Sequence, residues 1–243
     1  TNIIHVEGKV SPISDLETID TELILSDLEI VQKRKEKIFK QLRSGDKATQ
    51  SEHDLLEKLE SGLNQNIPIR NIAIEENNKE FLKQMQLVTG KPFFFIANLH
   101  EDENKNTHLP ELEGYAAKNN LSIIKVFAKA EGELVDLDQK EKKEYLNLLG
   151  LEEPALNLVI KKGYEMLDLF SYFTAGPKEV RAWSVKTGST APEAAGKIHT
   201  DFERGFIKAE VISFEDYIES GSELGAKEQG KLKMEGKEYI VQN

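Results

Sequence analysis

An apolar repeat in steps of three and four residues dominates the sequence up to residue 63. Between Asp15 and Leu42 it consists of Leu16, Ile19, Leu23, Leu28, Val31, Ile38 and Leu42, with Glu, Lys and Arg in the intervening positions. Because an α-helix turns once every ~3.6 residues, this spacing predicts a long amphipathic helix. Leu55, Leu59 and Leu63 predict a second helix. Ser44-Gly45-Asp46 predicts a short break between the two, which favours an antiparallel, coiled-coil-like hairpin.

A third helix is predicted after Pro68, from about Glu75 to Val88. The same apolar spacing places Phe81, Leu82, Met85 and Val88 on its inner side. This helix completes a helical region that is expected to end near residue 90.

A basic run, Lys33-Arg34-Lys35 with Lys37, lies on the first predicted helix. Glu29 and Glu36 are interleaved with it, and mixed charges of this kind are typical of a solvated helix face. We interpret the run as such a face. The alternative is a binding site for RNA or for a protein partner.

The pattern changes at Lys91. Phe93-Phe94-Phe95-Ile96 predicts a strand that is buried on both faces, and Ser122 to Phe127 predicts a second apolar strand. The segment from Leu109 to Asn119 between them predicts a helix. Strand, helix and strand at this spacing form a right-handed βαβ unit with parallel strands. The segments that follow the two strands should therefore emerge at the same edge of the sheet.

Polar and small residues follow each of these strands. Asn98 and Glu101 come after the first strand, and Ala128-Lys129-Ala130-Glu131 is predicted to be a loop after the second. Ligands of α/β sheets bind at the carboxyl ends of the strands. Residues 98–101 are therefore either a base-recognition loop or a polar turn that closes a core strand.

The remaining sequence predicts several short elements. Two helices are predicted near Asp138–Leu149 and Pro154–Leu167, and the core side of the second consists of Leu156, Val159, Ile160 and Met166. A β-hairpin of Ser171–Gly176 and Val180–Val185 follows, with its turn at Gly176-Pro177-Lys178. The last predicted elements are a helix at Ala191–Ile198, a strand at Ala209–Ile212, and helices at Phe214–Ile218 and Ser222–Leu232. From residue 169 onward these elements predict a compact α+β module, which is just large enough to form its own core.

Composition excludes several classes of protein. The chain has 243 residues, no Cys and a formal net charge of −11. Disulfides and thiolate metal sites are excluded, and the lack of Cys fits a reducing cytoplasm. Strong negative charge argues against indiscriminate nucleic-acid binding, although a local basic face remains open. No apolar run approaches the ~20 residues that span a bilayer, so no membrane association is expected.

Several longer segments together resemble a known family. They are Ile4–Val10, Asp20–Leu25, Asn98–Glu101, Leu149–Pro154, Tyr172–Gly176 and, most specifically, the continuous run Ala194–Ala209 (AAGKIHTDFERGFIKA). On these residues the whole chain resembles the YchF family of Obg-like ATPases, a branch of the P-loop GTPase superfamily.

The resemblance implies an α/β and α+β multidomain fold. Residues 1–14 and 91–168 would form the C-terminal part of a Ras-like nucleotide-binding domain, residues 15–90 an inserted helical coiled-coil domain, and residues 169–243 a C-terminal TGS domain. It also implies a cytoplasmic, ribosome-associated regulatory protein that binds and hydrolyses ATP, with the ribosome or ribosomal RNA as partner and no DNA. The alternative is a non-catalytic module that binds ribosome, RNA or protein through the coiled coil and the TGS domain.

The resemblance also gives a role to the polar segments after the strands. Asn98 would hold the loop and the edge of the base, and Leu99 would pack against adenine or offer it a backbone group. Glu101 stands where the wider superfamily has an Asp that accepts hydrogen bonds from guanine, so the usual guanine reader is missing. Ala128, Lys129 and Ala130 would flank the base from the other side.

The sequence lacks the groups that perform phosphoryl transfer. It contains neither Gly-x-x-x-x-Gly-Lys-Ser/Thr nor Asp-x-x-Gly, so no catalytic residue and no Mg²⁺ ligand is predicted in this chain. The family carries these motifs, and the Mg²⁺ they bind, upstream of Thr1. The chain is therefore expected to be a fragment that does not hydrolyse ATP by itself and that ends before the last strand of the TGS domain.

Other candidate sites are weak. His199 with Asp201, and His100 with Glu101 and Asp102, lack the spacing and the third ligand of a metal site, and we interpret both as structural. Two basic residues are stronger candidates for a function. Arg204 and Lys208 alternate with Phe202 and Phe206, a pattern that can contact RNA, although both Phe are predicted to lie in the core.

Overall fold

A computed structural model describes residues 10–42, 47–176 and 178–242. Its helices are α1 (Pro12–Leu42), α2 (Lys47–Asn64), α3 (Lys79–Met85), α4 (Leu109–Lys118), α5 (Ala128–Leu134), α6 (Gln139–Leu148), α7 (Ala155–Met166), α8 (Ala191–Ile198), α9 (Thr200–Arg204), α10 (Phe214–Ser220) and α11 (Glu223–Glu228). Its strands are β1 (Phe94–Asn98), β2 (Ser122–Val126), β3 (Leu169–Ala175), β4 (Val180–Lys186), β5 (Ala209–Val211) and β6 (Lys233–Glu235). The predicted break at 44–46, the start of the chain to residue 9 and Pro177 lie outside the described residues.

The chain divides into two compact units, Thr1–Ala155 and Leu156–Asn243. In the first unit α1 and α2 run antiparallel, since Gln32 bonds Glu60 while Arg34, further along α1, bonds Glu52, which comes earlier in α2. The bounds of both helices agree with the predictions from the apolar repeat.

The seam between α1 and α2 contains a tightly buried apolar cluster. Its members are Ile24, Val31, Ile38, Leu55, Leu56, Leu59, Leu63, Ile69 and Leu87. Ile24 and Val31 are seven residues apart, so both face α2 after two helical turns. Ile19 belongs to the predicted stripe but lies off this line and is exposed. The repeat therefore predicts the helix correctly and misplaces one member of its buried face.

A buried carboxylate fixes the segment that follows α3. Asp27 of α1 accepts hydrogen bonds from Val88 N at 2.8 Å, from Thr89 N at 2.7 Å and from Thr89 Oγ1 at 2.6 Å. Thr89 Oγ1 in turn accepts from Ile69 N at 3.1 Å. These bonds satisfy the acceptor oxygens of a side chain that lies fully inside the protein.

The third predicted helix is shorter than expected. It ends at Met85 because Gln86 adopts a left-handed conformation with φ of 55°. The change of direction exposes Val88, which was predicted to face inward, and buries Leu87 in its place.

The predicted βαβ unit is present. β1 and β2 are parallel, with Phe94 opposite Ser122 and Asn98 opposite Val126. Phe95 of β1 lies 6.4 Å from Tyr115 of α4, measured between ring centres. Because side chains alternate along a strand, Ile96 points to the opposite face and is 53% exposed. The prediction that this strand is buried on both faces is therefore wrong for the described residues.

Two further predictions in this part of the chain need correction. Residues 128–131 are not a loop, since they form the first turn of α5. In α7, Leu156 and Ile160 are exposed rather than part of a core. Tyr164 of α7 reaches Ser184 of β4 through a hydrogen bond of 2.6 Å.

In the second unit, β3 and β4 form the predicted antiparallel hairpin, with Phe170 opposite Val185. These two residues and Ala194 of α8 form the buried cluster. Thr190 and Glu193 form a capping box at the start of α8. β5 and β6 pair antiparallel.

Two expectations for the second unit do not hold. The last predicted helix is shorter than expected, because α11 ends at Glu228 and Gly230 follows in a left-handed conformation. Phe206 is buried as predicted, but Phe202 is 55% exposed on the short helix α9. None of the described helices is long and apolar enough to cross a lipid bilayer.

Candidate functional site

The carboxyl ends of β1 and β2 bring together two segments that are about 30 residues apart in sequence. Leu99 N donates to Val126 O at 2.8 Å and so extends the ladder by one bond beyond β1. The chain then enters a polar loop after β1 and helix α5 after β2. The expectation that both segments emerge at the same edge is confirmed.

Asn98 connects the two segments. Its side-chain Oδ1 accepts a hydrogen bond from Ala128 N, the first residue of α5, at 3.2 Å. An amide side chain has two N–H donors in addition. In the described part of the chain these donors of Asn98 make no hydrogen bond, and the side chain is exposed at the sheet edge. The site thus offers a positioned donor group to a ligand.

Lys129 makes a second connection across the edge. Its Nζ lies 3.7 Å from Glu101 Oε1 of the loop and 3.7 Å from Glu133 Oε1, one turn further along α5. The lysine side chain is 78% exposed. One ammonium group is therefore placed between two carboxylates at the surface of the edge.

Glu133 is itself held from α6. Tyr145 Oη donates to Glu133 Oε2 at 2.5 Å, and this bond raises the pKa of Tyr145 to about 12. Asp138 caps α6 by accepting from Lys140 N and Glu141 N. Sequence reasoning missed Glu133 and Tyr145. The i,i+4 spacing of Lys129 and Glu133 was a usable signal, but no sequence signal connects Tyr145 with them.

The loop after β1 is closed by its own hydrogen bonds. His100 N donates to Asn106 Oδ1 at 2.8 Å, and Asn106 Nδ2 donates back to His100 O at 2.8 Å. His100 Nδ1 accepts from Asp102 N at 3.0 Å. The ring of His100 thus takes part in the loop structure. The described residues contain no group of His, Cys, Asp or Glu that could hold a metal ion.

The other predicted residues have more limited access to a ligand. The N–H of Leu99 is already donated to Val126, so Leu99 offers its side chain and its carbonyl. Ala130 is buried, whereas Ala128 is exposed beside Asn98. A base at this edge would therefore meet Asn98, Leu99, Ala128 and Lys129, with Ala130 behind them.

Arg204 and Lys208, the other predicted contact residues, lie in the second unit. Arg204 ends α9, Lys208 precedes β5, and both are exposed. The His199 ring lies 5.9 Å from the Phe202 ring, and His199 Nδ1 accepts from Asp201 N at 3.1 Å. An exposed aromatic ring and two basic side chains thus share this short segment.

Two open grooves lie elsewhere in the first unit. One of about 840 Å³ is lined by α1 and α2, including Lys35 and Phe39, and one of about 400 Å³ is lined by α1 and α3, including Lys37 and Phe81. Neither borders the sheet edge. Both grooves lie on the helices, whereas the convergent polar groups lie at the edge, and recognition of a ligand depends on such groups.

Comparison with known proteins gives consistent matches. The family model YchF-GTPase_C, described as a protein of unknown function (DUF933), matches residues 169–243. The protein named ribosome-binding ATPase YchF of Bacillus subtilis is 45% identical over 246 residues, which cover 100% of this chain and 67% of that protein. The protein of the same name from Haemophilus influenzae is 46% identical over 244 residues, with the same shares of both chains.

A solved structure matches as well. The structure of the Schizosaccharomyces pombe YchF GTPase superposes with a TM-score of 0.85 at 32% identity, covering 100% of this chain and 67% of that one. The match extends over both compact units. The chain thus spans about two thirds of the length of the relatives it resembles.

Proposed function

This chain belongs to the YchF family, and from that membership we propose that its sheet edge at Asn98–Glu101 and Ala128–Ala130 binds the adenine base of ATP. The names of its bacterial relatives describe ribosome-binding ATPases. The observation that carries the proposal is the hydrogen bond from Ala128 N to Asn98 Oδ1, which joins the two strand ends into one polar edge.

Each residue of the edge receives a role in this proposal. The free N–H donors of Asn98 would bond an acceptor on the base, and Leu99 would pack against the ring or accept through its carbonyl. Ala128 and Ala130 keep the second strand end small enough for a flat ring. The aliphatic stem of Lys129 would cover the ring, while its ammonium stays with Glu101 and Glu133.

The phosphates and Mg²⁺ are not assigned to residues of this chain. The sequence has no P-loop, and the described residues offer no cluster of metal ligands. When bound, Mg²⁺ neutralises charge that develops on the transferred phosphoryl group. What this chain contributes is selection of the base, and hydrolysis is proposed for the full-length family protein.

We further propose the domain division that the sequence predicts. Parallel β1 and β2 with α4 support a Ras-like part in residues 1–14 and 91–168, and the antiparallel α1 and α2 support a helical coiled-coil insertion in residues 15–90. The family match that starts at residue 169, together with β3, supports a TGS domain in residues 169–243. The compact units divide earlier, at Ala155, because Tyr164 of α7 contacts β4.

The proposed partner is the ribosome, in the cytoplasm, with no membrane or DNA involved. Arg204 and Lys208 are the proposed RNA contacts, because both are exposed beside Phe202. If the nucleotide does not bind, the second proposal applies: a non-catalytic module that contacts ribosome, RNA or protein through the helical hairpin and residues 169–243.

Nucleotide titration tests the first proposal. We expect the protein, expressed at the full length of its gene, to bind fluorescent mant-ATP more tightly than mant-GTP. Asn98→Ala should weaken ATP binding about tenfold, because it removes the hydrogen bond to the base and the bond between Asn98 and Ala128 that holds the edge together. Asn157→Ala, an exposed asparagine on α7, is the matched control. Tighter binding of GTP would contradict the adenine assignment.

Ribosome co-sedimentation tests the partner. The charge-reversed pair Arg204→Glu and Lys208→Glu should pellet less with ribosomes at low salt, since contacts to phosphate are electrostatic. Lys227→Glu with Lys237→Glu changes the net charge of the same unit equally and is the control. Equal pelleting of both variants would remove Arg204 and Lys208 from the interface.

A further inference from the structure

The ion pair between Glu101 and Lys129 connects the two segments of the proposed base site. Their charged atoms are 3.7 Å apart, and the same ammonium lies 3.7 Å from Glu133. Glu133 is held by the Tyr145 hydroxyl at 2.5 Å. The lysine is thus directed toward Glu101 from a support that reaches back to α6.

A carboxylate at a base-binding edge affects the choice between purines. Guanine presents two neighbouring donors on its Watson–Crick edge, N1–H and the N2 amino group, which one free carboxylate can accept together. Adenine presents an acceptor at N1, which would face the lone pairs of the same carboxylate. A free Glu101 would therefore favour guanine, because carboxylates are acceptors only.

A paired carboxylate acts differently. An ammonium within ion-pair distance offsets the negative charge of Glu101 and draws it away from donors on the base. The pair therefore removes the preference for guanine that Glu101 would have alone.

We propose that Lys129 is a specificity-determining residue that withholds the Glu101 carboxylate from guanine, and that Glu133 and Tyr145 are positioning residues that hold Lys129 in place. This inference rests on the proposed function, in which the edge binds a purine base. The pair is exposed, and exposed pairs contribute little to folding. Its effect should therefore appear in nucleotide selectivity and not in the melting temperature.

The test is a cycle of variants titrated with mant-ATP and mant-GTP, using the protein at the full length of its gene. Lys129→Ala should lower the ratio of ATP affinity to GTP affinity about fivefold, chiefly by tightening GTP binding, as expected for loss of one exposed charge pair. Adding Glu101→Gln removes the carboxylate and should restore the ratio. Lys140→Ala removes a similarly exposed lysine of α6 and should leave the ratio unchanged.

The positioning residues have their own measurement. Tyr145→Phe keeps the ring and removes the hydroxyl, so it should lower the same ratio about twofold while the melting temperature stays constant. A merely structural role would weaken both nucleotides equally or lower the melting temperature. Either of those results would overturn the role given to Tyr145.

The outcomes separate the two proposals. An unchanged ratio in Lys129→Ala, with the wild-type protein binding ATP, overturns this inference and leaves the proposed function standing. A ratio that falls but is not restored by Glu101→Gln also overturns it, since the lysine would then act directly on the base. A wild-type protein that binds neither nucleotide overturns both.

Discussion

The helical hairpin and residues 169–242 are stabilised by different means. In the hairpin the apolar side chains of α1 and α2 interlock along a continuous seam, and Val31, Leu56 and Leu59 are completely buried. In residues 169–242 the buried cluster centres on Phe170 and Val185 of one β-hairpin. The first region has a large apolar core, and the second has a small one.

The polar connections of the second region lie between short elements. Tyr172 Oη of β3 donates to Ala194 O of α8 at 2.7 Å, and Lys231 lies 3.1 Å from Asp216 of α10. Large side chains such as Phe173 and Phe214 stay exposed, with ring centres 5.8 Å apart. A small region with little apolar burial must depend more on hydrogen bonds, because its helices are too short to form a long seam.

Truncation of a buried leucine should give the largest effect. Leu59→Ala leaves a cavity in an enclosed seam and should lower the free energy of unfolding of the hairpin by ~3–5 kcal/mol. Val185→Ala in the second region removes less volume and should cost about 2 kcal/mol. The hairpin is followed by the denaturant dependence of hydrogen exchange at the backbone amides of α1 and α2. The second region is followed by fluorescence of Trp183, the single tryptophan.

These two probes also test the comparison itself. If the regions are stabilised separately, Leu59→Ala shifts the exchange transition of α1 and α2 and leaves the Trp183 transition in place, and Val185→Ala does the reverse. An equal shift of both transitions by either variant would show that the two regions unfold as one.

The buried carboxylate of the hairpin should give the next largest effect. Asp27→Asn places an amide nitrogen against the N–H groups of Val88 and Thr89, so one donor loses its acceptor. We expect a loss of about 2–3 kcal/mol in the free energy of unfolding, measured by denaturant titration. Asp20→Asn on the same helix breaks a half-buried pair with Arg70 and should cost about 0.5 kcal/mol. Equal losses would mean that the complete burial of Asp27 does not increase its contribution to the free energy of unfolding.

Much of the fold could be predicted from sequence, because its signals are local. The apolar repeat gave α1 and α2, and alternating apolar runs gave the pairing of β3 with β4. The errors in predicted burial share one cause, which is that burial depends on neighbours distant in sequence. Ile96 and Phe202 are apolar, yet no described element covers either side chain. The apolar character of a residue alone could not predict which side chains would have no other element packed over them.

The candidate site was predicted in part. Parallel strands placed Asn98 and Ala128 at one edge, and the structure shows them bonded. The loop predicted at Ala128 is a helix, since small residues such as alanine favour a helical turn as readily as a loop. The Glu133–Tyr145 bond could not be predicted, because it depends on how α5 meets α6. The roles of these residues toward a nucleotide stay predictions until they are titrated.

Removal of one hydroxyl in the second region should give an intermediate effect. Tyr172→Phe leaves the ring in place and frees the carbonyl of Ala194, so we expect a loss of about 1 kcal/mol in the Trp183 transition. Tyr164→Phe, whose hydroxyl bonds the exposed Ser184, is the control and should cost less. A larger loss for Tyr164→Phe would contradict the weight that we give to burial.

The stability of the wild-type protein and that of Tyr172→Phe should depend on pH in different ways. Burial raises the pKa of Tyr172 above its ordinary value of 10.0, so the folded state favours the neutral phenol. Its contribution is complete below pH 10 and is lost as the pH rises through the raised pKa. The wild-type protein should therefore lose stability more steeply than Tyr172→Phe above pH 10.

The smallest effect is expected from the surface ion pairs of the hairpin, where Lys35 Nζ lies 2.8 Å from Glu60 Oε2. A double-mutant cycle of Lys35→Met and Glu60→Gln should give a coupling energy of about 0.5 kcal/mol at neutral pH. The matched pair Lys33 and Glu29, 3.1 Å apart but far more exposed, should couple by about 0.2 kcal/mol.

The pH limits of the Lys35–Glu60 coupling follow from the two shifts. The hydrogen bond from Lys35 lowers the pKa of Glu60 below 4.5, so the contribution of Glu60 is present above that pH and is lost as the pH falls through the lowered pKa. The bond to Glu60 raises the pKa of Lys35 above 10.5, so the contribution of Lys35 is lost only as the pH rises through this raised pKa. The coupling should therefore be constant between pH 5 and 10 and decline as the pH falls through the lowered pKa of Glu60. A coupling that persists after Glu60 is fully protonated would mean that packing of the two side chains, and not their charge, connects α1 to α2 at this point.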